Sequence, residues 1–122
     1  MALRRLRDPN HHSARSLFER HRDERLLTTN HVRGEAWTLV NRREGHAAAV
    51  RFLDAVASSP RVRVVQVTES LEATALTWLR SHDEREYSFV DATSFAIMRA
   101  MGIDRALAYD GDFTAAGFTE LR

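Results

Sequence analysis

YSFVDATSFAIMRAMGIDRALAYDGDFTAAGF, the stretch Tyr87–Phe118, decides how the rest of the chain is read. Ser88 is a natural N-cap, and Asp91 three residues on completes the Ser-x-x-Asp form of a capping box. From Phe89 to Met101 the segment is apolar on nearly every side, as in a helix buried on several faces. Gly102 fits the C-terminal cap. Ala106–Tyr109 is a short apolar run suited to an interior strand. It leads into an acidic loop, Asp110-Gly111-Asp112. One strand is therefore flanked by three carboxylates, one in the first turn of the preceding helix and two just beyond the strand's end. In open α/β sheets that carboxyl edge is where ligands bind.

Ser88-Phe89-Val90-Asp91-Ala92-Thr93-Ser94-Phe95-Ala96, then Tyr109-Asp110-Gly111-Asp112-Phe113, then Gly117-Phe118 resemble, in order and spacing, the C-terminal half of a PIN domain. The likeness is in particular to the VapC-like toxins of bacterial toxin–antitoxin pairs, and it extends more faintly over most of the upstream chain. It implies a single PIN-like nuclease domain over residues 1–122, a three-layer α/β/α fold with a mainly parallel sheet. It also implies a ribonuclease acting on RNA, a cognate antitoxin partner and a homodimer.

Upstream, His11 to about Asp23 reads as a helix with Ala14, Leu17 and Phe18 on one face. His11-His12 is an unpromising metal pair, because adjacent helical residues do not face each other. Leu26–Thr29 reads as a strand. A helix capped by Thr29 or Asn30 follows to about Arg43, with Val32, Ala36, Leu39 and Val40 as its stripe. Glu35 falls on that stripe. A carboxylate on an inward face is costly unless paired or bound to a cation, whereas near a helix N-terminus it is favoured by the dipole. On pattern alone the two readings stand level; the resemblance implies the active-site one, since family members carry a Glu on this helix.

Gly45 interrupts the pattern. His46–Ser58 is a third helix, with Ala49, Val50, Phe52, Leu53 and Val56 on its apolar face and His46 a capping or surface residue. Val62–Val67 reads as a strand. Glu69–His82 reads as a helix with Leu71, Ala75, Leu76 and Leu79 inward and Trp78 as a core aromatic. His82–Glu86 is a charged, solvated connector, and Thr119–Leu121 a last short strand. Alternating strands and helices argue for α/β with a mainly parallel sheet.

The chain's 122 residues suffice for one domain with a core. It holds 43% apolar and 29% charged residues, an ordinary globular balance without a run able to span a membrane. No signal peptide is visible, and the absence of cysteine excludes disulfides and thiolate metal sites, which suits the cytoplasm. The net charge of +1 does not announce a nucleic-acid binder. All 18 basic residues are arginine. Codon bias accounts for that simply, although the arginine fork also suits phosphate contacts. Without lysine a P-loop NTPase is excluded, and a phosphoryl-enzyme phosphohydrolase is disfavoured.

Family members open with an apolar strand that carries an aspartate and lies in the middle of the sheet. This chain starts at Met1-Ala2-Leu3-Arg4-Arg5, just downstream of where that strand would end. The expectation is therefore an N-terminally truncated domain lacking its central strand, through a misplaced start codon or as a fragment. Losing that strand would leave backbone groups unpaired in a fold stable by only about 5–15 kcal/mol. Asp8 belongs to a turn and does not replace the lost acid.

Converging carboxylates without histidine or thiol suit a hard cation, Mg²⁺ or Mn²⁺. Carried over position by position, the resemblance implies Glu35, Asp91, Asp110 and Asp112 as metal-binding and catalytic residues, Asp112 either directly or through water. Thr93 and Ser94 orient water or phosphate, or are core-facing helix polar groups; the pattern supports both. The alternative to a nuclease is a catalytically impaired interaction module that binds its antitoxin or itself.

Overall fold

The structure, a computed structural model, describes residues 2–3, 25–107 and 111–121. In chain order its elements are β1 (Ala2–Leu3), β2 (Leu26–Thr29), α1 (Asn30–Glu44), α2 (His46–Ser58), β3 (Val62–Val65), α3 (Glu69–Arg80), α4 (Phe89–Met101), β4 (Arg105–Leu107), α5 (Asp112–Ala115) and β5 (Thr119–Leu121). The strands form one parallel sheet in the order β3-β2-β1-β4-β5.

This order puts a two-residue strand, Ala2–Leu3, at the central position expected to be empty, without the aspartate of the family's first strand. Ala2 pairs with Leu27 on one side, and Ala2 and Leu3 pair with Ala106 and Leu107 on the other. At these positions β1 pairs with the backbone of both neighbours. The expected helix at 11–23, with His11 and His12, lies outside the described residues, as does Asp8.

Chain order and strand order together place the helices. The β2-to-β3 crossover, through α1 and α2, moves toward one edge of the sheet. The β3-to-β4 crossover, through α3 and α4, moves back toward the other. Right-handed crossovers in opposite directions lie on opposite faces, which gives the three layers.

Local chemistry explains the element ends. Thr29, rather than Asn30, caps α1, its hydroxyl accepting from Val32 N at 3.0 Å. The Asn30 side chain instead accepts from Val67 N at 2.8 Å, tying the segment after β3 to the start of α1. Ser88 caps α4 by accepting from Asp91 N at 3.0 Å, and Gly102 closes it at φ 67° in the left-handed region. β3 stops at Val65 and α3 at Arg80, both shorter than their apolar patterns suggest.

α4 is buried without interruption from Asp91 to Met98. Phe95 is fully buried at the centre of an aromatic cluster with Phe113, Phe118 and the half-buried Trp78 and Tyr87. Its ring meets Phe113 edge-on at 4.8 Å and Trp78 at 5.2 Å, the geometry that ring quadrupoles favour. Ala75 of α3 packs against Ala92 and Ala96 of α4, so small residues set that helix contact. Two apolar faces are less buried than expected. On α2 only Ala49 is buried, with Val50 and Leu53 exposed, and on α3 Leu76 is exposed. The helical period marks which residues share a face, not whether the neighbouring layer covers it.

Candidate active site

Because every strand is parallel, all carboxyl ends lie on one edge of the sheet. α1 begins there, directly after β2, and Glu35 follows within two turns. α4 reaches the start of β4 through only Gly102–Asp104, so its C-terminus is at the amino edge and its first turn, with Asp91, at the carboxyl edge. α5 opens with Asp112 just beyond β4. Two side-chain contacts confirm that the helix starts meet. His31 Nε2 in α1 lies 3.5 Å from Glu72 Oε1 in the first turn of α3. The His31 ring also lies 5.8 Å, centroid to centroid, from that of Phe89, the first residue of α4. Sequential strands run outward from β1 through β2 to β3, and the order reverses between β1 and β4. Such a switch point is where open α/β sheets bind ligands.

Asp91 is 3% exposed, fixed by its place three residues after the Ser88 cap. Glu35 is half-buried. Asp112 is buried and accepts from Arg85 Nε at 2.8 Å. Arg85 comes from the connector expected to be merely solvated. Its guanidinium lies over Gly111, where an added Cβ would meet the Nη2 atom at 3.5 Å. Gly111 needs to be glycine for its backbone, at φ 81°. The same connector is pinned by Tyr87, whose hydroxyl donates to Glu84 at 2.9 Å. Burial pushes the Tyr87 phenol up, and the bond to Glu84 adds to that. The Glu84 carboxyl is lowered, first by a backbone hydrogen bond and further by the Tyr87 hydroxyl.

The structure thus brings Glu35, Asp91 and Asp112 to one sheet edge. Asp110 lies outside the described residues. Among those described, no three His, Cys, Asp or Glu side chains converge as a metal-ion cluster, and Asp112 spends one oxygen on Arg85. The segment expected as an acidic loop becomes helical from Asp112 onward. Thr93 is fully buried and its hydroxyl donates to Val90 O at 2.7 Å, which favours the core reading of that residue. His46 is exposed, edge-on to Trp37.

Two residues at the site escaped the sequence reading. Arg85 stands in a run of charges with no periodicity to single it out. Glu120 of β5 accepts from Gly111 N at 3.3 Å and from Thr114 N at 2.9 Å, across a separation no local capping rule covers.

Comparison with known proteins bears on the family and the fold. The family model of the PIN domain matches residues 1–119. The chain is 54% identical over 121 residues to the 23S rRNA-specific endonuclease VapC20 of Mycobacterium tuberculosis, covering 99% of this chain and 91% of that protein. Its fold superposes on the crystal structure of Mycobacterium tuberculosis VapC20, a sarcin–ricin loop cleaving toxin, with a TM-score of 0.87. That match has 49% identity and covers 100% of this chain and 99% of the other. With its parallel sheet, acid-lined carboxyl edge and matching sequence, this chain belongs to the PIN domain family.

Proposed function

We propose that this protein is an endoribonuclease, the toxin of a toxin–antitoxin pair, that hydrolyses a phosphodiester bond in RNA with the help of Mg²⁺ or Mn²⁺. The observation that carries the reading is the gathering of Glu35, Asp91 and Asp112 at the switch-point edge, in a chain this close to a 23S rRNA endonuclease. The same kinship points to 23S rRNA, and within it the sarcin–ricin loop, as the substrate.

The donor set fits a hard cation, because the acids at this edge offer carboxylate oxygens without a thiolate. Asp91, Asp110 and Glu35 would hold the ion, with Asp112 acting directly or through water. The hydrogen bond to Arg85 favours the indirect role for Asp112. When bound, the ion neutralises phosphate charge and favours ionisation of a water. The protein's own part is placement. The Ser88 cap holds Asp91 in the first turn of a buried helix, and Arg85 restrains Asp112. In the reaction, water oxygen bonds to phosphorus, the bond from phosphorus to the leaving ribose oxygen breaks, and that oxygen takes up a proton.

The toxin reading carries a cognate antitoxin, a homodimer and a cytoplasmic site of action. Among the described residues no helix is long and apolar enough to cross a membrane.

The deciding experiment incubates the purified protein and its Asp91→Asn variant with a sarcin–ricin stem-loop RNA, in Mg²⁺ and in EDTA. The expected result is cleavage by the parent in Mg²⁺ alone. The variant should lose at least about 100-fold in rate while its circular dichroism is unchanged. Undiminished cleavage by the variant would sink the assignment. One observation favours the second reading, a PIN-like module with impaired catalysis: β1, Ala2–Leu3, brings no carboxylate to the centre of the sheet. A folded parent protein that leaves RNA intact in Mg²⁺ and Mn²⁺ would select that reading.

A further inference from the structure

Asp112 stands on a short helix that cannot organise itself. Four residues are too few for a self-supporting helix, and its first turn leaves N–H groups with no partner inside the helix. The usual remedy is a polar side chain at the N-cap. Here the N-cap is Gly111, which has no side chain and makes no such bond. Glu120 takes over that function from a different strand. It lies in β5 opposite Ala106 of β4. One carboxylate oxygen accepts from Gly111 N at 3.3 Å and the other from Thr114 N at 2.9 Å. Bonds from N–H to a carboxylate are stronger than neutral ones, and this pair brackets the backbone that carries Asp112. Arg85 closes the segment from another side, lying over Gly111 and bonded to Asp112.

We infer that Glu120 is a positioning residue for RNA cleavage, fixing through Gly111 and Thr114 the backbone on which Asp112 stands and to which Asp110 is joined. The inference rests on the nuclease reading of these acids. With both oxygens bonded to backbone N–H groups of the segment that carries Asp112, Glu120 acts on the site through that backbone. Loss of such support disturbs a metal site by typically about 10–100-fold.

The test uses Glu120→Gln, which keeps size and one acceptor, and Glu120→Ala. Amide hydrogen exchange is followed at Gly111 and Thr114, Mn²⁺ affinity by calorimetry, and cleavage of the stem-loop RNA at saturating Mg²⁺. Faster exchange at these two amides is expected in both variants. Mn²⁺ affinity and kcat should fall about 10-fold or more in Glu120→Ala and less in Glu120→Gln, with KM for RNA nearly unchanged. A merely structural role would lower the melting temperature without moving Mn²⁺ affinity or kcat, and that result overturns the inference. Parental behaviour of Glu120→Gln by all three readouts overturns it as well, even if the alanine variant fails to fold. Asp91→Asn runs alongside. If it is inactive while the Glu120 variants bind and cleave normally, this inference alone falls; if it cleaves normally, the nuclease centre is elsewhere and both readings fall.

Discussion

Gly111 and Arg85 meet at a point where backbone conformation and charge depend on each other. The φ of 81° at Gly111 admits a side chain only with strain, while an added Cβ would make ordinary contact with the Arg85 guanidinium at 3.5 Å. A left-handed backbone costs a non-glycine residue about 1–2 kcal/mol. Gly111→Ala should therefore lower stability by about that amount in urea unfolding, and should slow RNA cleavage because the strained turn carries Asp112. A fully active Gly111→Ala protein would show that the turn tolerates displacement. The 41% exposure of the Arg85 side chain limits what its ion pair contributes to stability, so its main effect is on where the carboxylate sits.

Among the elements, α4 holds the two halves of the molecule's logic. Its first turn carries Asp91 at the carboxyl edge, and its middle carries Phe95 into the aromatic cluster. Its contact with α3 is set by Ala75, Ala92 and Ala96, which are small enough to let the two helices approach closely. Ala92→Leu would force extra methylene groups into that contact next to Asp91. Overpacking of this kind costs about 1–3 kcal/mol. Thermal or urea unfolding should show that loss, together with reduced cleavage; an unchanged midpoint would mean that the helices separate freely. The burial of α4 was legible from a segment apolar on nearly every side, and its ends from Ser88 and Gly102. The exposure of Val50, Leu53 and Leu76 was not. A helical stripe specifies a face, but what lies opposite it is settled only when distant segments pack.

For the whole molecule, the sheet turns on its shortest strand. Ala2 and Leu3 bridge β2 and β4, so the two halves of the sheet communicate through them. Proline at Leu3 would remove a backbone donor in a central strand, where proline is not tolerated. Leu3→Pro should lower the stability of the whole domain by at least about 2 kcal/mol, seen as a single cooperative shift in urea unfolding. A parental midpoint would show that β1 adds little to the sheet.

Sequence by itself determined the α/β class, the strands at 26–29 and 119–121, the helices at 46–58 and 89–101, and the candidate acids. Those features rest on local periodicity, caps and short-range spacing, which each segment carries in its own residues. The PIN family was legible for the same reason, because Ser88–Ala96 and Tyr109–Phe113 keep their spacing along the chain. Only the tertiary structure decided that Ala2–Leu3 fills the centre of the sheet, since a two-residue strand has no pattern of its own and exists by pairing. It alone joined Arg85 to Asp112 and Glu120 to Gly111 and Thr114. These are contacts between segments that sheet order and helix packing bring together, and no spacing along the chain encodes them.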